Sequence, residues 1–112
     1  MATYITLCNF TEKGAREIKD TLKRTEAAKS AAKQFGMTIK EVLWLQGQYD
    51  LIVISEGSDE IAMTAFILNT IKAGNLRMQT LRAFTAGEMA RFWRRSLSSN
   101  TIGPAAPFDG AD

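Results

Sequence analysis

The sequence predicts an α+β domain in which strands and helices follow the order βαββαβ, with an extra C-terminal helix. Four short runs are rich in β-branched and aromatic residues: 3–10, 38–46, 49–56 and 76–84. Between the first two of these runs, apolar or small residues recur every three or four positions over 11–35, which is the spacing of an amphipathic helix, and helix start signals at 58–60 predict a second helix after the third run. Right-handed crossovers then give a ferredoxin-like plait, an antiparallel four-stranded sheet with both helices on one face.

Local signals predict where the two helices begin and end. Thr11 is a suitable N-cap for the first helix, which the pattern extends to Phe35, and Gly36 is a suitable terminator. Ser58, Asp59 and Glu60 place a cap and two acids at the start of the second helix, where the helix dipole favours negative charge, and Gly74 can end it.

The C-terminal part of the chain is divided by its composition. Residues 86–97 have a helical pattern and predict a short third helix. Residues 98–112 contain both prolines and no periodic apolar positions, which is typical of a flexible segment. We therefore expect one domain over 1–97 and a flexible tail over 98–112.

Composition excludes several functional classes. The 112 residues are 46% hydrophobic and 23% charged with a net charge of +2, which gives no strong field for nucleic acid or an anionic membrane. The chain has no histidine and one cysteine, Cys8, so Ser-His-Asp and Cys-His catalysis and the usual zinc ligand sets are excluded. The lone cysteine and the lack of a signal-peptide pattern favour the cytoplasm. We expect no cofactor, no nucleic-acid partner and no membrane partner.

The segment LWLQGQYDLIVIS (43–55) predicts a β-hairpin, because polar and turn-forming residues interrupt an apolar run. A two-residue type II′ loop at Gly47 and Gln48 places Trp44 opposite Leu51. This register decides which side chains share a face of the sheet, and a slip of one residue would exchange the two faces.

The two faces are assigned by their apolar character. We expect the more aliphatic set to pack against the helices: Ile5, Leu7, Leu43, Leu45, Asp50, Ile52, Ile54, Leu81 and Ala83. The helix-free face is then expected to carry the remaining set: Tyr4, Thr6, Cys8, Val42, Trp44, Gln46, Tyr49, Leu51, Val53, Met78, Thr80, Arg82 and Phe84. This second set is too apolar to remain in water, so we expect self-association, sheet against sheet, as a homodimer or higher homo-oligomer.

Asn9 and Asp50 have two interpretations. In the structural one, Asp50 accepts hydrogen bonds from the free amides that follow Thr11 at the start of the first helix. In the functional one, Asn9 and Asp50 line a small pocket under the helices.

The chain resembles the GYD domain, a family of small bacterial proteins named after a Gly-Tyr-Asp pattern. The resemblance rests on four segments: YITLCNFTEKG, IKDTLKR, GQYDLIVISEGSDE and GNLRMQTLRAFT. The resemblance covers about residues 3–95. It implies a ferredoxin-like fold of the dimeric α/β-barrel type and no established activity. The Gly-x-Tyr-Asp hairpin is more distantly similar to the effector-binding domain of leucine-responsive transcription regulators, but this chain has no helix-turn-helix segment.

Three functions are compatible with these observations. The first is an oligomeric small-molecule-binding or sensory protein, with the ligand at a sheet or subunit interface. Its candidate ligand-binding residues are Tyr4, Thr6, Asn9, Trp44, Gln46, Tyr49, Asp50, Thr80 and Arg82. The second, a fold-level analogy, is a cofactor-independent oxygenase- or isomerase-like enzyme with Asp50 as base and Arg82 as oxyanion partner. In that enzyme Tyr49 or Asn9 would be the hydrogen-bond donor. The third is a structural protein-interaction module.

Overall fold

The computed structural model describes residues 1–98 and confirms the predicted ferredoxin-like order. The elements are β1 (Ala2–Phe10), α1 (Glu12–Arg16), α2 (Thr21–Gln34), β2 (Met37–Trp44), β3 (Leu51–Gly57), α3 (Glu60–Ile71), β4 (Leu76–Ala83) and α4 (Ala86–Ser98). The strands form one antiparallel sheet in the order β2-β3-β1-β4. The tail predicted over 98–112 lies, apart from its first residue, outside the described residues.

Cap geometry confirms the predicted start of the first helix and corrects the cap of the second. The hydroxyl of Thr11 accepts a hydrogen bond of 3.1 Å from the backbone N–H three residues later. The cap of α3 is Asp59 and not Ser58, because the Asp59 carboxylate accepts a hydrogen bond of 2.8 Å from the N–H two residues later. Gly36 and Gly74 follow α2 and α3 with φ of 78° and 77°, a conformation that strongly favours glycine.

The single helix predicted over 11–35 is wrong, because the α-helix is interrupted between Arg16 and Thr21. α1 ends at Arg16, a short 3₁₀ turn spans Ile18–Asp20, and α2 begins at Thr21. The apolar periodicity continues through the break, so the pattern alone did not reveal it.

Contacts from elsewhere in the chain account for the end of α1. The guanidinium group of Arg24 donates to the carbonyl oxygens of Glu17 (3.0 Å) and Gly14 (3.4 Å), which are acceptors that a continuing helix would use itself. Gly14 also lies against the backbone of Asn75, where an added Cβ would be 2.2 Å from the carbonyl oxygen. α1 is therefore held by α2 and by the residue that precedes β4.

The hairpin has the predicted register and a longer loop. The pairing of Trp44 with Leu51 is confirmed. The ladder ends there, and the hairpin is closed by a hydrogen bond of 2.8 Å from the N–H of Leu45 to the carbonyl oxygen of Asp50. The loop is thus the four residues 46–49 and not the two-residue type II′ turn.

The predicted assignment of the two sheet faces is reversed. The side chains of Tyr4, Thr6 and Cys8 are 6%, 3% and 0% exposed, because they lie under the helices. The buried core cluster contains Tyr4, Ala32, Met37, Met63 and Phe66, with contributions from both helices and from strands β1 and β2. Ring packing of Phe35 against Phe66 at a centroid distance of 6.0 Å joins α2 to α3.

The helix side therefore carries most of the residues that we expected on the helix-free face: Tyr4, Thr6, Cys8, Val42, Trp44, Leu51, Val53, Met78, Thr80 and Arg82. The face without helices, which we call the free face, is defined by Ile5, Leu7, Leu43, Ile52, Ile54 and Leu81. The physical reason is that both faces of the sheet are apolar, so apolar character does not distinguish them. The side that meets the helices contributes Tyr4 and Met37 to one core with Met63 and Phe66 of α3.

A β-bulge in β2 also affects which side chains reach the helices. The ladder shifts register between Ile39 and Glu41, which leaves Lys40 as the extra residue. As a result, Ile39 and Val42, three positions apart, both face α2. Strict alternation along the strand would have separated them.

Helix α4 leaves the body after β4. It starts with a capping box, in which the Thr85 hydroxyl accepts from the Glu88 N–H (3.1 Å) and Glu88 accepts from the Thr85 N–H (2.9 Å). This backbone hydrogen bond lowers the pKa of Glu88. Phe92 packs edge-on against Phe84 at 5.1 Å, while most other apolar side chains of the helix, such as Trp93, are exposed.

Candidate functional site

A cavity of about 330 Å³ lies between the sheet and the two helices α2 and α3. Its floor is the helix side of the sheet, with Thr6, Cys8, Leu51, Val53 and Ser55. Its roof includes the small side chains of Ala28 and Ala31 in α2 and of Thr70 in α3. Because these side chains are short, the roof does not fill the space above the strands, and the cavity adjoins the core cluster at Met63 and Phe66.

Two buried polar atoms belong to residues that line this cavity. Ser55 is 0% exposed, and its Oγ has no hydrogen-bond partner among the described residues. The Oδ1 atom of Asn75 is also buried and unpartnered within residues 1–98. A buried polar atom without a partner costs about 1–3 kcal/mol, so both atoms would gain from a ligand that hydrogen-bonds to them.

Cys8 lines the cavity but is not a reactive group. Its thiol is fully buried, and burial raises its pKa from 9.0 to about 12. The thiol is therefore neutral at physiological pH, whereas nucleophilic and metal-binding cysteines act as thiolates. Within residues 1–98, no three His, Cys, Asp or Glu residues form a group that could hold a metal ion.

The predicted ligand-binding residues do not converge on this cavity, and among the nine only Thr6 lines it. The Thr6 hydroxyl lies 3.2 Å from that of Thr80, its cross-strand neighbour. Tyr4 is buried in the core cluster. Trp44 donates from Nε1 to the hydroxyl of Thr21 at 3.1 Å.

Asn9 and Asp50 hold the hairpin turn to the end of β1. Oδ2 of Asp50 accepts a hydrogen bond of 2.9 Å from the N–H of Phe10 and lies 3.5 Å from Nδ2 of Asn9. Asn9 also donates to the carbonyl oxygen of Gln48 at 2.8 Å. The expected contact of Asp50 with the amides after Thr11 is wrong, because the hydroxyl of Thr11 itself caps α1. Neither Asn9 nor Asp50 lines the cavity described above.

Tyr49 and Gln46 belong to the hairpin loop, away from the cavity. The hydroxyl of Tyr49 lies 3.4 Å from Oε1 of Gln79, which pairs with Leu7 of the free face. Gln46 is exposed. Tyr49 therefore lies beside the free face and not under the helices.

Arg82 lies at the opposite end of the sheet from Asp50. Its guanidinium carbon is 4.3 Å from the ring centroid of Phe84 and 5.7 Å from that of Tyr4, its cross-strand neighbour. Asp50 contacts Phe10, six residues further along β1, which corresponds to roughly 20 Å of extended strand. Within one chain, Asp50, the predicted base, and Arg82, the predicted oxyanion partner, are therefore too far apart to act on the same substrate atom.

Sequence reasoning missed three polar residues that line the cavity: Arg24, Ser55 and Asn75. Two signals point to them. A serine ends the apolar run of LIVIS in β3 at a position that faces the helices, and alanines recur at 27, 28, 31 and 32 on α2. A helix that presents alanine to a sheet leaves space that larger residues would fill.

Comparison with known proteins agrees with this architecture. The sequence pattern of the GYD domain family matches residues 4–93. Among solved structures, the chain is similar to FFRP-DM1, with 23% identity, a TM-score of 0.51, and coverage of 75% of this chain and 100% of that one. It is also similar to TTHA0845 from Thermus thermophilus, with 23% identity, a TM-score of 0.49, and coverage of 77% and 96%.

The match to FFRP-DM1 supports the fold alone at this level of identity. No curated protein matches the chain. Within residues 1–98, no helix has the length and apolar content needed to cross a membrane. The family pattern, in contrast, runs from β1 into α4 and covers most of the chain, so this protein belongs to the GYD domain family.

Proposed function

We propose that this GYD domain protein is a homo-oligomeric small-molecule-binding protein whose ligand occupies the cavity between the sheet and the helices. The observation that supports this proposal is a cavity of about 330 Å³ whose walls are mainly apolar and include the unpartnered polar atoms of Ser55 and Asn75. Small-molecule sites combine apolar walls with a few converging polar groups in volumes of roughly 300–1,000 Å³.

A ligand that binds the folded protein and not the unfolded chain stabilises the folded state by mass action. A ligand that fits this cavity should therefore raise the melting temperature, and the rise should grow with the concentration of the ligand.

The binding part of the proposal is tested with a variant that fills the cavity. The purified protein is examined by native mass spectrometry for co-purified metabolites and screened by thermal shift. Ala28→Leu adds volume to the roof of the cavity and should abolish ligand-induced shifts. Ala90→Leu on the exposed surface of α4 is the matched control and should leave the shifts unchanged. Shifts that persist in a folded Ala28→Leu protein would place the ligand elsewhere.

Self-association is proposed to occur through the free face. Cross-strand pairing places Leu81, Ile5 and Ile54 in one row. Leu7, Ile52 and Leu43 form the next. Leu43 and Leu81 are 46% and 41% exposed, and the other four side chains are half-buried. A contiguous aliphatic face on a sheet is a typical surface for a second sheet, and an identical face is self-complementary under two-fold symmetry.

This assembly is tested by placing a charge on the free face. Leu43→Lys should convert an oligomer to a monomer in light scattering, because the ammonium group would be buried between two apolar sheets. Leu68→Lys is the control, since Leu68 is 59% exposed on α3 and lies on the other side of the molecule. A wild-type protein that remains a monomer of 12.4 kDa at micromolar concentration would contradict the proposal.

A further inference from the structure

The cavity between the sheet and the helices contains one charged lining residue, Arg24, in the first turns of α2. Its side chain is partly buried, and its guanidinium group is positioned by hydrogen bonds to the carbonyl oxygens of Glu17 and Gly14. These two acceptors are neutral. Within residues 1–98, Arg24 makes no ion pair with a carboxylate, and no acidic residue lines the cavity.

Asn75 is placed at the same end of the cavity by a chain of close contacts. Gly14 accepts a hydrogen bond from Arg24 on one side and touches the backbone of Asn75 on the other. The carbonyl oxygen of Asn75 is fixed by a hydrogen bond of 3.0 Å from the N–H of Thr11. Its side-chain Oδ1 is buried and unpartnered, and a 180° rotation of the amide would place its two N–H donors at that position, towards a group bound beside Arg24.

We propose that Arg24 binds the carboxylate of a small, otherwise apolar ligand, with the amide of Asn75 as a second donor to the same head group. This inference rests on the proposed function, because it names the ligand class of that cavity. An anion gains more than a neutral group from a guanidinium that is partly removed from water and has no carboxylate partner. A cation would meet an unscreened positive charge at the same place.

The apolar walls limit the remainder of the ligand. An engineered cavity of about 150 Å³ holds one benzene molecule, so a volume of about 330 Å³ accommodates roughly twelve apolar and head-group atoms. The alanine side chains of the roof and the aliphatic side chains of the floor offer no further charges. Monocarboxylic acids with one aromatic ring and a short chain fit these limits.

The test compares three probes of one shape on the full-length protein: phenylbutyrate, phenylbutanol and phenylbutylamine. Isothermal titration calorimetry should show that the carboxylate binds about ten- to a hundredfold more tightly than the alcohol, and that the amine binds most weakly. Arg24→Gln should reduce the preference for the carboxylate to about one while the alcohol keeps its affinity. Arg24→Lys keeps the charge and should retain part of the preference.

Lys23→Gln removes the same charge from an exposed neighbouring position that does not line the cavity, and it should leave all three affinities unchanged. Equal affinities of the wild type for carboxylate and alcohol would overturn the inference while leaving an apolar ligand site in place. Binding of none of the three probes would overturn the proposed function together with the inference. Because the wild-type comparison needs no variant, loss of folding in Arg24→Gln would not prevent the decision.

Discussion

Replacing Asp50 with alanine is expected to lower the free energy of unfolding by about 1.5–3 kcal/mol, the range for a hydrogen bond to a charged group. The carboxylate of Asp50 accepts from the N–H of Phe10 at 2.9 Å and lies 3.5 Å from the amide nitrogen of Asn9. Its backbone N–H separately donates to the carbonyl oxygen of Cys8 at 2.8 Å and is unaffected by the substitution. The decrease in unfolding free energy therefore reports the contribution of the Asp50 side chain alone.

Asp50→Asn separates geometry from charge. The asparagine side chain keeps a carbonyl oxygen that can accept from the N–H of Phe10, so the cost should fall to roughly 0.5–1 kcal/mol. Urea denaturation followed by intrinsic tryptophan fluorescence, to which Trp44 beside the same hairpin loop and Trp93 of α4 both contribute, measures both values. The slope of the unfolding free energy against urea should be unchanged.

Asp20→Ala serves as a control, because Asp20 is similarly half-buried but its side chain makes no cap hydrogen bond at the start of α2. Its effect should be clearly smaller than that of Asp50→Ala. An Asp50→Ala protein as stable as the wild type would refute the reasoning, since it would mean that water replaces the carboxylate at the end of β1 without cost.

Two further predictions concern buried residues. In denaturant melts, Gly14→Ala should destabilise the protein by more than about 2 kcal/mol, because the new Cβ would meet the carbonyl oxygen of Asn75 at 2.2 Å. Gly87→Ala is the control: its new Cβ would meet nothing closer than 3.9 Å among the described residues, so it should be neutral or stabilise by up to about 1 kcal/mol. The buried thiol of Cys8 stabilises the folded state fully below its ordinary pKa of 9.0, and this contribution should decline as the pH rises from 9.0 towards about 12. The stability difference between wild type and Cys8→Ala should therefore shrink over that range.

Local structure could be predicted because it depends on neighbouring residues. The cap at Thr11 and the terminating glycines act within a few positions of the chain, and each was identified from its residue type, whereas the cap of α3 was placed one residue early, at Ser58 instead of Asp59. The break between α1 and α2 was not predicted, because it involves the hydrogen bonds from Arg24 and the approach of Asn75, about sixty residues away in sequence. The sequence TAGE (85–88) has the Thr-x-x-Glu pattern of the capping box that begins α4, but the prediction of this helix did not use it.

The sequence by itself determined the order of the strands and helices, the pairing of Trp44 with Leu51, and the presence of two apolar faces on the sheet. Only the tertiary structure decided which face meets the helices. Alternation fixes which side chains point the same way, but both faces here are apolar, so hydrophobicity favours neither. The core that decides it joins Met63 and Phe66 of α3 to Tyr4 of β1 and Met37 of β2, residues far apart in sequence. The short alanine side chains of α2 leave the cavity beside Arg24, a site that also depends on residues distant in sequence.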